Sequence, residues 1–192
     1  MPYLTEEFEI KNIINQLTSA KILWLDTEVA DWETENPRLS LIQATANPID
    51  RTGDKAYVLD VLDRPDLVAE FVEKIMVNPN IEKVFHNAPF DVKYLGGKQI
   101  VKNVTCTFKM VRKLSKKRRK EPLVVTNKKL KTLATELCQF TEVDSEQQAS
   151  DWGQRPLTQK QLQYAKMDVV YLSHVHQFLL NLKAQQFLQQ TV

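Results

Sequence analysis

Two acids, Asp26 and Glu28, stand two residues apart at the end of an apolar run, Ile22-Leu23-Trp24-Leu25. The run is short and made of strand formers, so it predicts a buried strand over 22–28. Side chains two apart on a strand leave the same face, and the two carboxylates therefore project together. Adjacent carboxylates at a buried strand end repel and raise each other's pKa values. A divalent cation is the simplest partner that would offset the repulsion. Taken alone, the pair fits two solvated surface acids equally well, so its meaning rests on what accompanies it.

Three further residues supply that company. His86-Asn87-Ala88-Pro89-Phe90-Asp91 places an acid just past a short predicted strand at 83–85, with Pro89 suited to a first helical turn. By itself, Asp91 reads as a helix N-terminal acid favoured by the dipole. Near the other end, Tyr164 and Asp168 are four residues apart on a predicted helix and share one face. That face borders an apolar stripe formed by Leu162, Ala165, Val169, Leu172, His176 and Leu179. His176 falls on the stripe, so neither it nor His174 is expected to do chemistry.

The elements that must position these groups follow from periodicity and punctuation. A helix is predicted from Thr5 to about Leu17, then strands at 22–28, 38–44 and 56–60, with Thr52-Gly53-Asp54 as a turn. Three strands with short connections predict an antiparallel meander at the start of a mixed sheet. Helices are predicted at 65–77, 105–114 and 128–137, with a polar, basic surface loop at 115–127. The last helix has a capping box, Thr158 with Gln161, just after Pro156. No repeat or linker interrupts the chain.

At 192 residues, 43% apolar and 26% charged, the chain has the make-up of one ordinary globular domain. No stretch has the length of a membrane span, and Met1 to Gln16 lacks the layout of a signal peptide. Cys106 and Cys138 are far apart without metal-type spacing, which predicts reduced thiols, a cytoplasmic protein and no zinc site. The net charge of +2 conceals an asymmetry: thirteen of the 26 basic residues lie between Lys98 and Lys131, against one acid, Glu121. The densest part is Arg112-Lys113 and Lys116 to Lys120. A solvated loop and a salt-dependent phosphate-binding patch both fit it.

Taken together, the acids and the tyrosine resemble the three-motif signature of the DEDD-type 3′–5′ exonucleases. Leu25-Asp26-Thr27-Glu28 matches the first motif, His86-Asn87-x-x-Phe90-Asp91 the second and Tyr164-x-x-x-Asp168 the third. Position 163 is Gln where the histidine version carries His, so the resemblance is to the tyrosine subclass. Arg38-Leu39-Ser40-Leu41-Ile42-Gln43 and Ser150 to Leu157 look like segments of the ribonuclease D branch. Departures are Cys106-Thr107, where many members carry Asp-Thr, and the lack of a clear lysine near Asp144 to Gln148. Neither touches an expected metal ligand; both bear on substrate contacts.

The resemblance implies a ribonuclease H-like α/β fold: a mixed central sheet, part antiparallel meander and part parallel strands, flanked by helices. It implies a single exonuclease domain over 1–192, without the helical nucleic-acid-binding domain of longer ribonuclease D proteins. Asp26, Glu28, Asp91 and Asp168 would hold two Mg²⁺ or Mn²⁺ ions, with Asp26 bridging. Phosphodiester hydrolysis needs stabilisation on both sides of phosphorus, which two ions about 3.5–4 Å apart provide. Hard oxygen ligands suit those ions. An unperturbed phenol has a pKa of about 10, so Tyr164 is expected to orient water and not to act as base. Thr27, His86, Asn87 and the basic residues Lys116, Lys117, Arg118, Arg119 and Lys120 are the expected substrate contacts, although strand-end packing fits His86 as well. Trp32 and Trp152 are candidate stacking platforms, although a place in the core or at its rim fits both as well. The expected activity is 3′–5′ exoribonucleolysis of single-stranded RNA ends to nucleoside monophosphates, with no membrane or obligate protein partner. A single-stranded DNA exonuclease and an idle nucleic-acid-binding module on the same fold stand as alternatives.

Overall fold

A computed structural model describes residues 3–116, 122–141, 143–144 and 146–188. Its centre is a six-stranded mixed sheet in the order β1-β4-β3-β2-β5-β6. The strands are β1 (Tyr3–Leu4), β2 (Ile22–Ala30), β3 (Arg38–Thr45), β4 (Tyr57–Asp60), β5 (Glu82–Phe85) and β6 (Val104–Cys106). β2, β3 and β4 form the expected antiparallel meander, while β5 and β6 continue the sheet in parallel. β1, two residues parallel to β4, is too short for periodicity to have revealed it.

Among the described residues six α-helices cover the sheet: α1 (Glu7–Leu17), α2 (Pro65–Phe71), α3 (Pro89–Tyr94), α4 (Thr107–Leu114), α5 (Leu130–Cys138) and α6 (Gln159–Leu188). The helix expected over 65–77 is α-helical only to Phe71 and continues as one wider π turn, Val72–Met76. The helix expected from Thr105 starts two residues later, because Thr105 and Cys106 pair with β5. No helix among the described residues is long and apolar enough to cross a membrane.

Alternation along β2 and β3 divides the core. Leu23, Leu25, Ile42 and Ala44 point to the face covered by α1, α2 and α3, where they join Ile10, Ile14, Leu67, Phe71 and Val92. Trp24 and Leu41 point to the opposite face and meet Leu172 and Ala165 of α6. Trp24 Nε1 donates to His176 Nδ1 at 3.2 Å, so His176 is a buried structural group, as its place on the stripe predicted. The stripe itself is only half of what α6 buries. Met167, Val170, Tyr171 and Val175 pack the other way, against Val111 and Leu114 of α4 and Leu133 of α5. A helix clamped between sheet and helices is apolar on two sides.

The two segments with ribonuclease D character brace the start of α6. Ser40 Oγ donates to the Trp152 carbonyl at 2.6 Å. Arg155 grips Asp60 with both Nε, at 2.5 Å, and Nη2, at 2.7 Å. Burial pushes the Asp60 carboxyl up, but the bonds from Arg155 and Tyr3 outweigh it and hold the group below its ordinary range. The capping box is formed: the Gln161 N–H donates to Thr158 Oγ1 at 3.2 Å, and the Thr158 N–H returns to Gln161 Oε1 at 2.9 Å.

The Arg155–Asp60 pair is mostly enclosed, with 27% and 12% of the side chains exposed. Arg155→Ala strands the carboxylate and is expected to cost about 3 kcal/mol in urea unfolding. A loss below about 0.5 kcal/mol would make the pair equivalent to a solvated one.

Candidate active site

The site lies along the C-terminal half of β2, where elements from both faces of the sheet converge. Asp26 and Glu28 extend from β2 toward the α6 face, a direction fixed by Trp24 and Leu41, their neighbours on that face. Asp168 comes down from α6 to meet them. Ligand oxygens of Asp26, Glu28 and Asp168 all lie within 4.8 Å of one another. Asp91 arrives from the other side, in the first turn of α3, and is outside that tightest group. Thr27 Oγ1 donates to Asp91 Oδ1 at 2.7 Å, so the residue between the two first acids orients the third.

Burial and mutual repulsion dominate the electrostatics. Asp26 is pushed well above the carboxylate range by burial, then by Asp91 and Asp168. Glu28 is raised in the same way, by burial and then by Asp26 and Asp168. Burial raises Asp91 to about 7 and Asp168 to about 6. The Tyr164 phenol is pushed up by burial and the same acids, so it is neutral at pH 7. Four mutually repelling oxygen-donor side chains suit a hard divalent ion, and Asp168 Oδ1 is buried without a hydrogen-bond partner among the described residues. The donor set therefore fits Mg²⁺ or Mn²⁺.

These groups open into a cleft of about 1110 Å³ that Trp32, His86, Asn87, Phe90, Lys128, Lys129, Lys131 and Tyr164 help to line. Burial lowers His86 to about 4, so its ring is neutral at pH 7. Nε2 donates to the Lys128 carbonyl at 2.9 Å, which leaves Nδ1 to accept from the Thr107 hydroxyl at 2.8 Å. His86 thus ties the end of β5 to the approach of α5. Asn87 is exposed at the rim with a left-handed backbone, φ 66°.

Trp32 is 56% exposed on the cleft, but Trp152 is 2% exposed and packs beside Tyr164, ring centroids 5.9 Å apart. Trp152 is therefore a core residue and offers no face for stacking. Lys116 is exposed and is not one of the residues that line the cleft. Lys117, Arg118, Arg119 and Lys120, also expected to bind substrate, lie outside the described residues.

Two residues were not singled out by the sequence. Lys131, the last cation of the basic stretch, brings its ammonium 3.4 Å from Asp168 Oδ1 and 3.2 Å from the Tyr164 ring centroid. Gln43 closes the Arg38 to Gln43 segment and lies directly across from Asp26 in the sheet. It is fully buried, and neither amide atom has a hydrogen-bond partner among the described residues. The pairing register would have identified Gln43; nothing in the spacing identifies Lys131.

A 3′–5′ exonuclease family model matches residues 1–183, and the chain belongs to that family. A ribonuclease D of Shewanella sp. (strain ANA-3) is 30% identical over 187 residues, 95% of this chain but 44% of the relative. The chain thus spans less than half the length of that relative. The catalytic core of RRP6 from Trypanosoma brucei shares the fold, with a TM-score of 0.76 at 21% identity over 97% of this chain and 48% of that one. NrnC of Brucella melitensis is 26% identical with a TM-score of 0.65, covering 91% of this chain and 77% of that one.

The raised carboxyls set a pH dependence for the metal-free protein. Asp91 and Asp168 hold protons in the folded state that an unfolded carboxyl, with a pKa of about 3.9, has already lost. Stability therefore falls as pH rises from about 4 through about 6 and 7. In EDTA the melting temperature is expected to drop across that window, and saturating Mn²⁺ is expected to raise it most at the upper end. A metal-free melting temperature that climbs from pH 5 to 7 would contradict the assigned shifts.

Proposed function

We propose that this chain is a metal-dependent 3′–5′ exoribonuclease that removes nucleoside monophosphates from single-stranded RNA 3′ ends. The observation that carries the reading is the convergence of Asp26, Glu28 and Asp168 within 4.8 Å, with Asp91 beside them, at a cleft open to solvent. Family membership and the ribonuclease D relatives support it. NrnC has been solved with bound Mg²⁺ and with pGG, which supports both the ion and a nucleic-acid substrate.

Asp26, Glu28, Asp91 and Asp168 would hold two Mg²⁺ or Mn²⁺ ions. When bound, these supply charge neutralisation for phosphate and acidify the attacking water. The chain's own side chains do the rest. Thr27 fixes the Asp91 carboxylate. Tyr164, kept neutral, hydrogen-bonds the water and aims it at phosphorus, a positioning role. Lys128 and Lys129 offer phosphate contacts that carry no sequence preference, and Trp32 and Phe90 offer exposed rings to unstacked bases. The positive charge of the run 116–120 would add a salt-dependent attraction for the nucleic-acid backbone. Two free cysteines far apart in the chain, Cys106 and Cys138, suit a reducing, cytoplasmic setting.

Asp26→Asn keeps the shape of the ligand but removes its charge. It is expected to lower single-turnover hydrolysis of a 5′-labelled RNA oligonucleotide by roughly a thousandfold or more while the far-UV spectrum is unchanged. Full activity in the variant would overturn the assignment of the site. A matched DNA oligonucleotide run in parallel decides the substrate: faster cleavage of DNA would replace RNA in this reading, and no cleavage of either would leave only a binding module. Tyr164→Phe, which retains the ring but not the hydroxyl, is expected to slow the step by about 10–100-fold with little change in KM. A change confined to KM would assign the hydroxyl to substrate binding.

A further inference from the structure

Among the described residues, Lys131 is held unlike the buried lysine Lys83. Lys83 Nζ donates to two carbonyls, Asn78 O at 2.6 Å and Ile81 O at 2.8 Å, and is fixed by direction. Lys131 Nζ is buried with no hydrogen-bond acceptor aligned to it among the described residues. What surrounds it is charge and π density: Asp168 Oδ1 at 3.4 Å, the Tyr164 ring centroid at 3.2 Å, and the fields of Glu28 and Asp26. Contacts of this kind are non-directional, so a stronger cation can take over the stabilisation of the acids without leaving a directed bond of the ammonium broken. Its place on α5 also gives it an exit, since the first turn of that helix faces the cleft beside Lys128 and Lys129.

We propose that Lys131 is a resident counter-cation of the carboxylate cluster, exchanged for divalent metal on loading. The inference rests on the metal-binding reading above and adds to it a competitor supplied by the chain itself. In the metal-free protein, Lys131 partly neutralises Asp168, Glu28 and Asp26 and packs on the Tyr164 ring, so the water-orienting phenol and its neighbouring acid stay in place. A divalent ion and the ammonium cannot share Asp168 without strong repulsion, so the metal binds only as Lys131 withdraws. Lys131 is a positioning residue in this account: it makes a site of buried like charges tolerable before the metal arrives, at the expense of metal affinity.

Lys131→Met keeps the length and apolar stem of the side chain without its charge. Two effects of opposite sign are expected. The metal-free melting temperature falls, and Mn²⁺ binding measured by titration calorimetry tightens by roughly tenfold. Lys131→Arg, which keeps the charge, restores wild-type Mn²⁺ affinity. A purely structural lysine would lower the melting temperature without tightening the metal, so equal or weaker Mn²⁺ binding by Lys131→Met overturns the proposal. A second measurement on the unmodified chain covers a variant that fails to fold. Acylation of lysines read by mass spectrometry should increase at Lys131 when Mn²⁺ is added and stay constant at Lys83; constant labelling at Lys131 also overturns it. Failure of the metal-site reading is distinct from either result, because the wild-type chain would then bind no Mn²⁺ in the first titration.

Discussion

Burial of like charge at one point of the sheet is the constraint that organises this molecule. Asp26, Glu28, Asp91 and Asp168 all carry raised pKa values, and in each case burial is the largest cause. Left to themselves, such groups would protonate or push apart. They are instead held by three different elements: two by β2, one by the first turn of α3 and one by α6. Separation of the four acids along the chain means that only the completed fold brings them together. The cost of that convergence is met by the rest of the structure, and the site inherits its rigidity from the core.

Much of the molecule is legible as bracing for that convergence. The aliphatic layer between the sheet and α1, α2 and α3 fixes where β5 ends and α3 begins, and so fixes Asp91. On the other face, Trp24 and His176 anchor α6 to β2 beyond the site, while Ser40, Asp60 and Arg155 anchor the approach to its first turn. α6 is thereby clamped on both sides of Tyr164 and Asp168. A helix of 30 residues held at two separated points cannot slide or rotate without breaking one clamp. His86 performs a similar service for α5, joining β5 to the Lys128 carbonyl one turn before Lys131.

The sequence was most informative where chemistry and periodicity agreed. An apolar run ending in Asp-x-Glu reads as a strand presenting two acids, and β2 presents them. Tyr164 and Asp168 share a helix face by spacing alone, and the capping box at Thr158 marked the start of their helix. The strand over Val104–Cys106 was read as helix from Thr105 because three residues carry too little periodicity to separate from the helix that follows. α6 showed one apolar stripe in the sequence but buries two, since a helix covered on both sides loses the polar face that would define a single stripe. Lys131 was hidden for a different reason. It belongs to a run of cations that fits solvated charge or a phosphate-binding patch, and only the packing of α5 on α6 separates it from Lys128 and Lys129. For Trp152 the sequence leaves stacking and core packing both open, and the contact with Tyr164 that buries it decides for the core.

Assembly of a metal site from acids on both faces of the sheet is the claim on which the functional reading depends, and it can be observed directly. Crystals grown with Mn²⁺ and measured near the manganese absorption edge would locate the ions by anomalous scattering. The account predicts manganese among the carboxylates of Asp26, Glu28 and Asp168, with Asp91 drawn into coordination. Anomalous density absent from that cluster at saturating Mn²⁺, or confined to surface acids elsewhere, would contradict it.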